Sequence, residues 1–243
     1  MEVEVLESSM VAPSELTPKH TLWLSNLDLQ FPSTHYTPVV LLYRPSSRMA
    51  SFSLDIMKAA LSKALVPYYP LAGRLTVDGS TGRPEISCTG DGVLFVAAHA
   101  GGTLGDLGDL APSEVLRRML VPSAADGSGH AGVVLVMLQV TFFRCGAVCL
   151  GIATQHMASD GRGVSHFLNT WAAIARGGVD EAATLPRPFL DRPLLRARSP
   201  PAAVRIEHAK YPRRGLRLGS ASILPQGHHE ARRPYVSCSL PRR

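Results

Sequence analysis

A chain of 243 residues that is 45% hydrophobic and 18% charged has enough apolar side chains for a substantial core, which excludes an intrinsically disordered protein. It has no run of about 18 uninterrupted apolar residues, its N-terminus is acidic, and its four cysteines match no zinc or disulfide pattern, so we expect a soluble, cytosolic protein. The net charge of +6 points to an anionic partner, but residues 1–211 are electrically balanced and the whole excess lies in the Arg-rich residues 212–243.

The N-terminal region is predicted to contain strands and one clear helix. Residues 20–43 hold strand-like runs, and the clearest is the apolar run at 39–43. A helix is predicted to begin near Ser53, whose hydroxyl suits an N-cap position, and to end before Pro67. Its apolar residues recur at helical spacing, at Leu54, Met57, Leu61 and Leu65. Extended structure is predicted to resume at 69–75.

The middle of the chain carries the strongest β signal. One or two short strands are predicted at 84–97, followed by a short helix at 113–120. Residues 133–143 and 147–153 are apolar almost throughout, and the turn residues Arg, Cys and Gly at 144–146 lie between them. These segments predict a hairpin in the centre of a sheet that is covered on both faces.

Three parts of the chain are predicted from these patterns. Residues 1–178 form a folded domain, and residues 179–211 form an extended connector because they include five prolines. Residues 212–243 form a disordered basic tail that lacks apolar periodicity. Tyr235 is the single aromatic residue of this tail, so it offers no stacking platform for bases. We therefore expect neither a nucleic-acid nor a membrane partner.

A candidate site lies in the loop between the second hairpin strand and a helix predicted to begin near Val164. This loop holds His156, Asp160 and Gly161. Histidine is well suited to move a proton near neutral pH, a neighbouring Asp can orient the imidazole or brace the loop, and glycine allows a tight turn. No third ligand stands near them, so we expect no metal site. Spacing alone does not separate a catalytic pair from a structural His beside a loop Asp, and both interpretations stay open.

The motif His156-x-x-x-Asp160-Gly161 resembles the signature of a plant family, the BAHD acyl-CoA-dependent acyltransferases. Further segments resemble that family in the same order, namely Leu24-Ser-Asn-Leu-Asp28, Tyr69-Pro-Leu-Ala-Gly-Arg-Leu75 and Asp191-Arg-Pro-Leu-Leu-Arg-Ala-Arg198. Residues 138–146 and 167–172 look most like the hydroxycinnamoyl-CoA shikimate/quinate hydroxycinnamoyltransferases. The resemblance covers about residues 3–211 and corresponds to the N-terminal half of the family's chains. The second family domain, with its Asp-Phe-Gly-Trp-Gly motif, is missing from this sequence.

The resemblance implies a fold and a reaction. The fold is α/β, with a mixed β-sheet flanked by helices, and it forms one half of a chloramphenicol-acetyltransferase-like architecture with a tunnel between two domains. His156 would act as the general base that deprotonates a hydroxyl or amine acceptor as it attacks an acyl-CoA thioester. Acyl-CoA is then a co-substrate, and no bound cofactor is expected. Asp160 and Gly161 would support the loop, Asp160 through an Arg pair.

The resemblance also implies an acceptor pocket that includes Tyr36 and Thr37, although Val39 and Leu41 make this stretch less polar than in the shikimate-using members. Two functional hypotheses follow. The chain is an acyltransferase, inactive if the missing half is essential, or it is a non-catalytic interaction module. In the second case an exposed interdomain face would favour self-association, whereas the full-length family is expected to be monomeric.

Overall fold

The computed structural model of the chain describes residues 1–45, 53–123, 132–196 and 200. The described residues form nine β-strands and four α-helices. In chain order these elements are β1 (Val3–Val11), β2 (Thr21–Trp23), β3 (Tyr36–Tyr43), α1 (Leu54–Ala64), β4 (Arg74–Val77), β5 (Pro84–Ser87), β6 (Val93–Ala100), α2 (Glu114–Leu120), β7 (Val133–Val134), β8 (Val136–Phe143), β9 (Val148–Gln155), α3 (Gly161–Gly177) and α4 (Val179–Ala183). The predicted tail at 212–243 lies outside the described residues, as does the end of the predicted connector.

The strands form two sheets, and the larger one supports the rest of the fold. This five-stranded sheet has the order β1-β6-β8-β9-β3. It is mixed, because β6 and β8 are parallel while the other neighbours are antiparallel. A smaller antiparallel sheet has the order β2-β5-β4-β7. The predicted α/β class with a mixed sheet is confirmed.

The centre of the large sheet is the hairpin of β8 and β9, as the apolar runs predicted. Its turn closes through a bond from the Phe143 N–H to the Ala147 carbonyl at 2.9 Å, with Gly146 in the left-handed region at φ 78°. Every side chain of β9 is buried, and so is nearly every side chain of β8. The predicted first strand is split, however, because Val133 and Val134 form β7 and pair with β4 in the smaller sheet.

Helices α1 and α3 cover one face of the large sheet. Helix α1 begins where the sequence predicts, since the Ser53 hydroxyl accepts a hydrogen bond from the Ile56 N–H at 3.4 Å. The apolar face of α3 packs beside it, and the Trp171 indole N–H donates to the Met57 carbonyl at 2.9 Å. The core between helices and sheet includes the fully buried side chains of Leu61, Leu65, Phe95, Leu138, Ile152 and Phe167.

Helix α2 covers part of the opposite face of the sheet. The predicted short helix is confirmed, with the Ser113 hydroxyl accepting from the Leu116 N–H at 3.2 Å as its N-cap. The end of this helix lies directly on β9 at Gly151, so closely that the Leu120 carbonyl occupies the space of a side chain. Beside it, the buried Gln139 amide donates to the Met119 carbonyl at 2.8 Å.

Across the described ranges, every helix is too short or too polar to span a bilayer.

Three further segments differ from the sequence predictions. Strand β1 was not predicted, yet it forms the edge of the large sheet against β6. Residues Tyr69–Ala72 form a 3-10 helix rather than extended chain, because Pro70 suits the first turn of a helix, and extended structure resumes only at Arg74. Within the segment predicted as connector, α4 is helical, and its Ala182 is buried in the main core.

Candidate active site

The loop between β9 and α3 places His156 directly after a central strand. The His156 backbone N–H donates to the His35 carbonyl at 3.1 Å, which continues the pairing of β9 with β3. The imidazole ring is half-buried and stacks on the Phe31 ring, with centroids 3.7 Å apart and planes 22° apart. One face of the ring is therefore covered, while the side chain keeps partial access to solvent. A group so placed can accept a proton from a bound molecule.

Gln155, the last residue of β9, supports this loop, and it is not among the site residues predicted from the sequence. Its side chain is completely buried. The amide nitrogen donates to the Ser33 carbonyl at 3.1 Å, and the amide oxygen accepts from the Met157 N–H at 2.6 Å. One side chain thus bonds the segment before β3 to the segment after β9. The sequence signal for it was a polar residue at the end of an apolar strand.

Asp160 acts at the start of α3. Its carboxylate accepts a hydrogen bond from the Gly163 N–H at 2.8 Å, which makes it the N-cap of the helix. The helix therefore begins at Gly161 and not near Val164, since the carboxylate satisfies a backbone donor of the first turn. Gly161 is not required for a tight turn, because no atom lies within 4 Å of the place where its Cβ would stand.

An Arg of the connector braces the loop through groups other than Asp160. Arg192, in the 3-10 helix Arg192–Leu195, donates to the Ala158 carbonyl at 2.5 Å and to the Asp28 carboxylate at 3.1 Å. Within the described ranges, Asp160 forms no ion pair with an Arg. The connector therefore holds the His156 loop by a backbone carbonyl and a second carboxylate.

The structure does not bring Tyr36 and Thr37 together in one pocket. They are neighbours on β3, so their side chains point to opposite faces of the sheet. The Tyr36 hydroxyl donates to the Val134 carbonyl at 2.6 Å, and burial raises the pKa of Tyr36 to about 12. That hydroxyl is thus occupied by a backbone contact. Thr37 lies opposite Thr154 of β9, and its half-buried side chain is on the face of the sheet opposite to that of Tyr36.

A cavity of about 960 Å³ lies beside the loop, between α3 and the connector. Its lining includes Ala158, Ser159 and Asp160 from the loop and the connector residues 186–192. At one wall the Tyr68 hydroxyl lies 2.8 Å from the His166 Nδ1 atom, and burial raises the pKa of Tyr68. His166 is therefore partnered away from His156. Among the described residues, no group of three or more His, Cys, Asp or Glu side chains is arranged to hold a metal.

Comparison with known sequences identifies the family. The Transferase family matches residues 1–224 of the chain, which is most of its length. The chain belongs to the BAHD acyltransferases. The family match continues past residue 211, so the expectation that family-like sequence ends there was wrong. The charge distribution marks a change in composition but not the limit of the family.

Two curated plant relatives of this BAHD chain act on different acceptors. It is 60% identical over 232 residues to putrescine hydroxycinnamoyltransferase 1 of Oryza sativa, covering 93% of this chain and 50% of the relative. It is 49% identical over 211 residues to shikimate O-hydroxycinnamoyltransferase of Nicotiana tabacum, covering 87% of this chain and 47% of the relative. The chain spans about half the length of the curated relatives it matches.

The fold of the BAHD chain matches a solved structure of the family. Vinorine synthase superposes with a TM-score of 0.61 at 26% identity, over 78% of this chain and 46% of that protein. The mixed sheet flanked by helices is therefore the fold of one half of such an enzyme. The resemblance read from the His156 motif, the 69–75 segment and the connector is confirmed at the level of family and fold.

Proposed function

We propose that the chain supplies the catalytic base of an acyltransferase that moves a hydroxycinnamoyl group from its coenzyme A thioester to a small hydroxyl or amine acceptor. The observation that carries the proposal is the geometry of His156, a stacked and half-exposed imidazole in the family's loop at the end of a central strand. Relatives named for putrescine and for shikimate support an acceptor class that includes both amines and alcohols.

The chemistry requires one proton to move twice. His156 takes the proton of the acceptor hydroxyl or amine as that atom attacks the thioester carbonyl carbon and a new C–O or C–N bond forms. The tetrahedral intermediate then collapses, the C–S bond breaks, and the imidazolium returns the proton to the leaving thiolate. The products are the ester or amide and free coenzyme A. A base of this kind contributes roughly 10²- to 10⁴-fold to the rate.

Asp160 and Arg192 have structural roles in this scheme. Asp160 bonds the Gly163 N–H, so it fixes the start of α3 instead of relaying charge to the imidazole. Arg192 holds the Ala158 carbonyl two residues beyond His156. Together they keep the loop in one conformation, and positioning of the reacting groups is itself a large part of catalysis.

Replacing the base tests the proposed function. Purified chain is incubated with p-coumaroyl-CoA and either putrescine or shikimate, and the amide or ester is quantified. Wild-type turnover that falls about 10²- to 10⁴-fold in His156→Ala, with an unchanged thermal midpoint, supports the role of His156. His99→Ala is the matched control, because that half-buried histidine on β6 lies at the opposite end of the sheet and should retain activity. Equal losses in the two variants would remove His156 from the base role.

A second candidate function is self-association through the connector. Phe189, Leu194 and Leu195 are 77%, 70% and 54% exposed, and all three line the cavity. Large apolar side chains grouped at a surface favour a protein partner, here a second copy of the chain. Light scattering after size exclusion should then give twice the 26.1 kDa chain mass, and Phe189→Ser with Leu194→Ser should restore the monomer. A wild-type monomer at all concentrations would exclude this candidate.

A further inference from the structure

We propose that Phe31 and Gln155 are positioning residues that fix the His156 imidazole in a single orientation. Phe31 covers one face of the ring, and Gln155 locks the backbone on either side of the stack. The catalytic consequence of this arrangement rests on the proposed function. The arrangement itself is independent of that function and can be measured without turnover.

The stack on Phe31 is unusually close. Aromatic rings in proteins pair with centroids about 4.5–7 Å apart, whereas the Phe31 and His156 centroids are 3.7 Å apart. At this distance, with planes only 22° apart, the two faces are in full contact. Rotation of the imidazole about its Cβ–Cγ bond would drive its edge into the phenyl ring. The stack therefore fixes the plane of the imidazole, so its two ring nitrogens point parallel to the phenyl face.

Phe31 is itself held in place. It follows the 3-10 helix Asp28–Gln30, and the Asp28 carboxylate accepts from the Ser25 N–H at 2.7 Å. The same carboxylate accepts from Arg192 at 3.1 Å. The phenyl ring thus follows a turn that the Asp28 carboxylate ties to both Ser25 and Arg192. It provides a fixed surface against which the imidazole can rest.

Gln155 joins this surface to the histidine loop. Its amide donates to the Ser33 carbonyl, two residues beyond Phe31, and accepts from the Met157 N–H, one residue beyond His156. Because the side chain is completely buried, losing either bond would leave a polar atom without water, which is costly. The amide therefore keeps the phenyl-bearing segment and the imidazole-bearing segment at a constant separation.

The test is the NMR resonance of the His156 ring in the full chain. Ring protons that lie over an aromatic face resonate upfield, and the Phe31 ring stacks on His156 at 3.7 Å and on His35 at 5.5 Å between centroids. His156→Asn therefore assigns the His156 signal among the nine histidines. Phe31→Leu should abolish the upfield shift, and Phe31→Tyr should keep it. Gln155→Leu should reduce and broaden it, because the two segments are no longer tied together.

Gln139→Leu is the matched control for Gln155. Gln139 is another buried amide on the same face of the large sheet, 7% exposed, and it bonds Met119 and Thr141 away from the loop. The His156 signal should be unchanged in this variant. If Gln139→Leu and Gln155→Leu move the signal equally, the effect is general to the core and the proposal fails. An unchanged signal in Gln155→Leu, or in Gln155→Asn where the Leu variant does not fold, also overturns it.

Kinetics separate this proposal from the proposed function. If the acyl transfer is measurable, Phe31→Leu and Gln155→Asn should lower kcat about tenfold or more with KM for both substrates unchanged, since misplacing a catalytic group by about 1 Å can cost 10²-fold. Phe31→Tyr should restore most of the rate. If Phe31→Leu and Gln155→Leu change the His156 resonance but the wild type shows no acyl transfer, the positioning role is supported and only the proposed function is rejected.

Discussion

At the scale of single residues, Gly151 is a position where a neighbouring backbone atom leaves no room for any side chain. An ideal Cβ at this position would lie 1.6 Å from the Leu120 carbonyl oxygen, which is backbone and cannot rotate away. Gly151→Ala must therefore push the end of α2 off the sheet. We expect a loss of about 3 kcal/mol or more in the free energy of unfolding, at the upper end of overpacking effects.

Urea unfolding followed by circular dichroism measures this loss. Gly79→Ala is the control, because nothing lies within 4 Å of its Cβ position and its φ is not in the left-handed region. It should change the stability by no more than about 0.5 kcal/mol. If the two alanines cost the same, the contact between α2 and β9 would not be the tight one described.

The same scale shows what the sequence could and could not indicate about the site. His156 and Asp160 lie within one short motif, so a resemblance was enough to find them. Phe31 and Ser33 are more than a hundred residues away in the chain, and no periodicity links them to His156. Their contacts exist only because β3 pairs with β9. The residues that orient the candidate base could therefore be found only from the fold.

At the scale of elements, the start of α3 gives a prediction about the role of Asp160. Its carboxylate caps the helix through the Gly163 N–H, and an amide oxygen can do the same. Asp160→Asn should therefore keep the stability near that of the wild type, whereas Asp160→Ala should lose about 1 kcal/mol. Thermal unfolding of both variants measures the difference. A loss in Asp160→Asn as large as in Asp160→Ala would instead show that the negative charge is needed.

Elements with strong local signals were predicted well, and those defined by long-range pairing were not. Helix α1 and the β8–β9 hairpin carry periodic or continuous apolar runs and a clear cap or turn. Strand β1 lies at the sheet edge with five consecutive exposed side chains, and the alternation that begins at Val3 stops at Leu6, so its local signal is short. The division of Val133–Val134 into the smaller sheet depends on pairing with β4, which is equally invisible locally.

At the scale of the whole molecule, Arg192 connects three distant parts of the chain. Its guanidinium reaches Asp28 near the N-terminal region and Ala158 in the site loop, while Arg192 itself belongs to the connector. Both side chains of the ion pair are mostly buried, at 19% and 22% exposed, so the pair is less screened by solvent than a surface pair. The connector is therefore a structural member of the site and not a passive spacer.

A double-mutant cycle on Asp28→Ala and Arg192→Ala tests this connection. If the pair is formed as described, the two losses in unfolding free energy should not add, and the coupling should be about 1 kcal/mol, above the typical value for exposed pairs. The cycle is needed because Asp28 also accepts from the Ser25 N–H and Arg192 also bonds Ala158, so each single variant removes more than the pair. Arg118 with Glu114 is the comparison pair, since both are exposed, and its coupling should be a few tenths of a kcal/mol. Equal coupling in the two cycles would mean that the Asp28–Arg192 pair contributes no more than an exposed pair, and the connector would then be held to the His156 loop by the Arg192 bond to the Ala158 carbonyl.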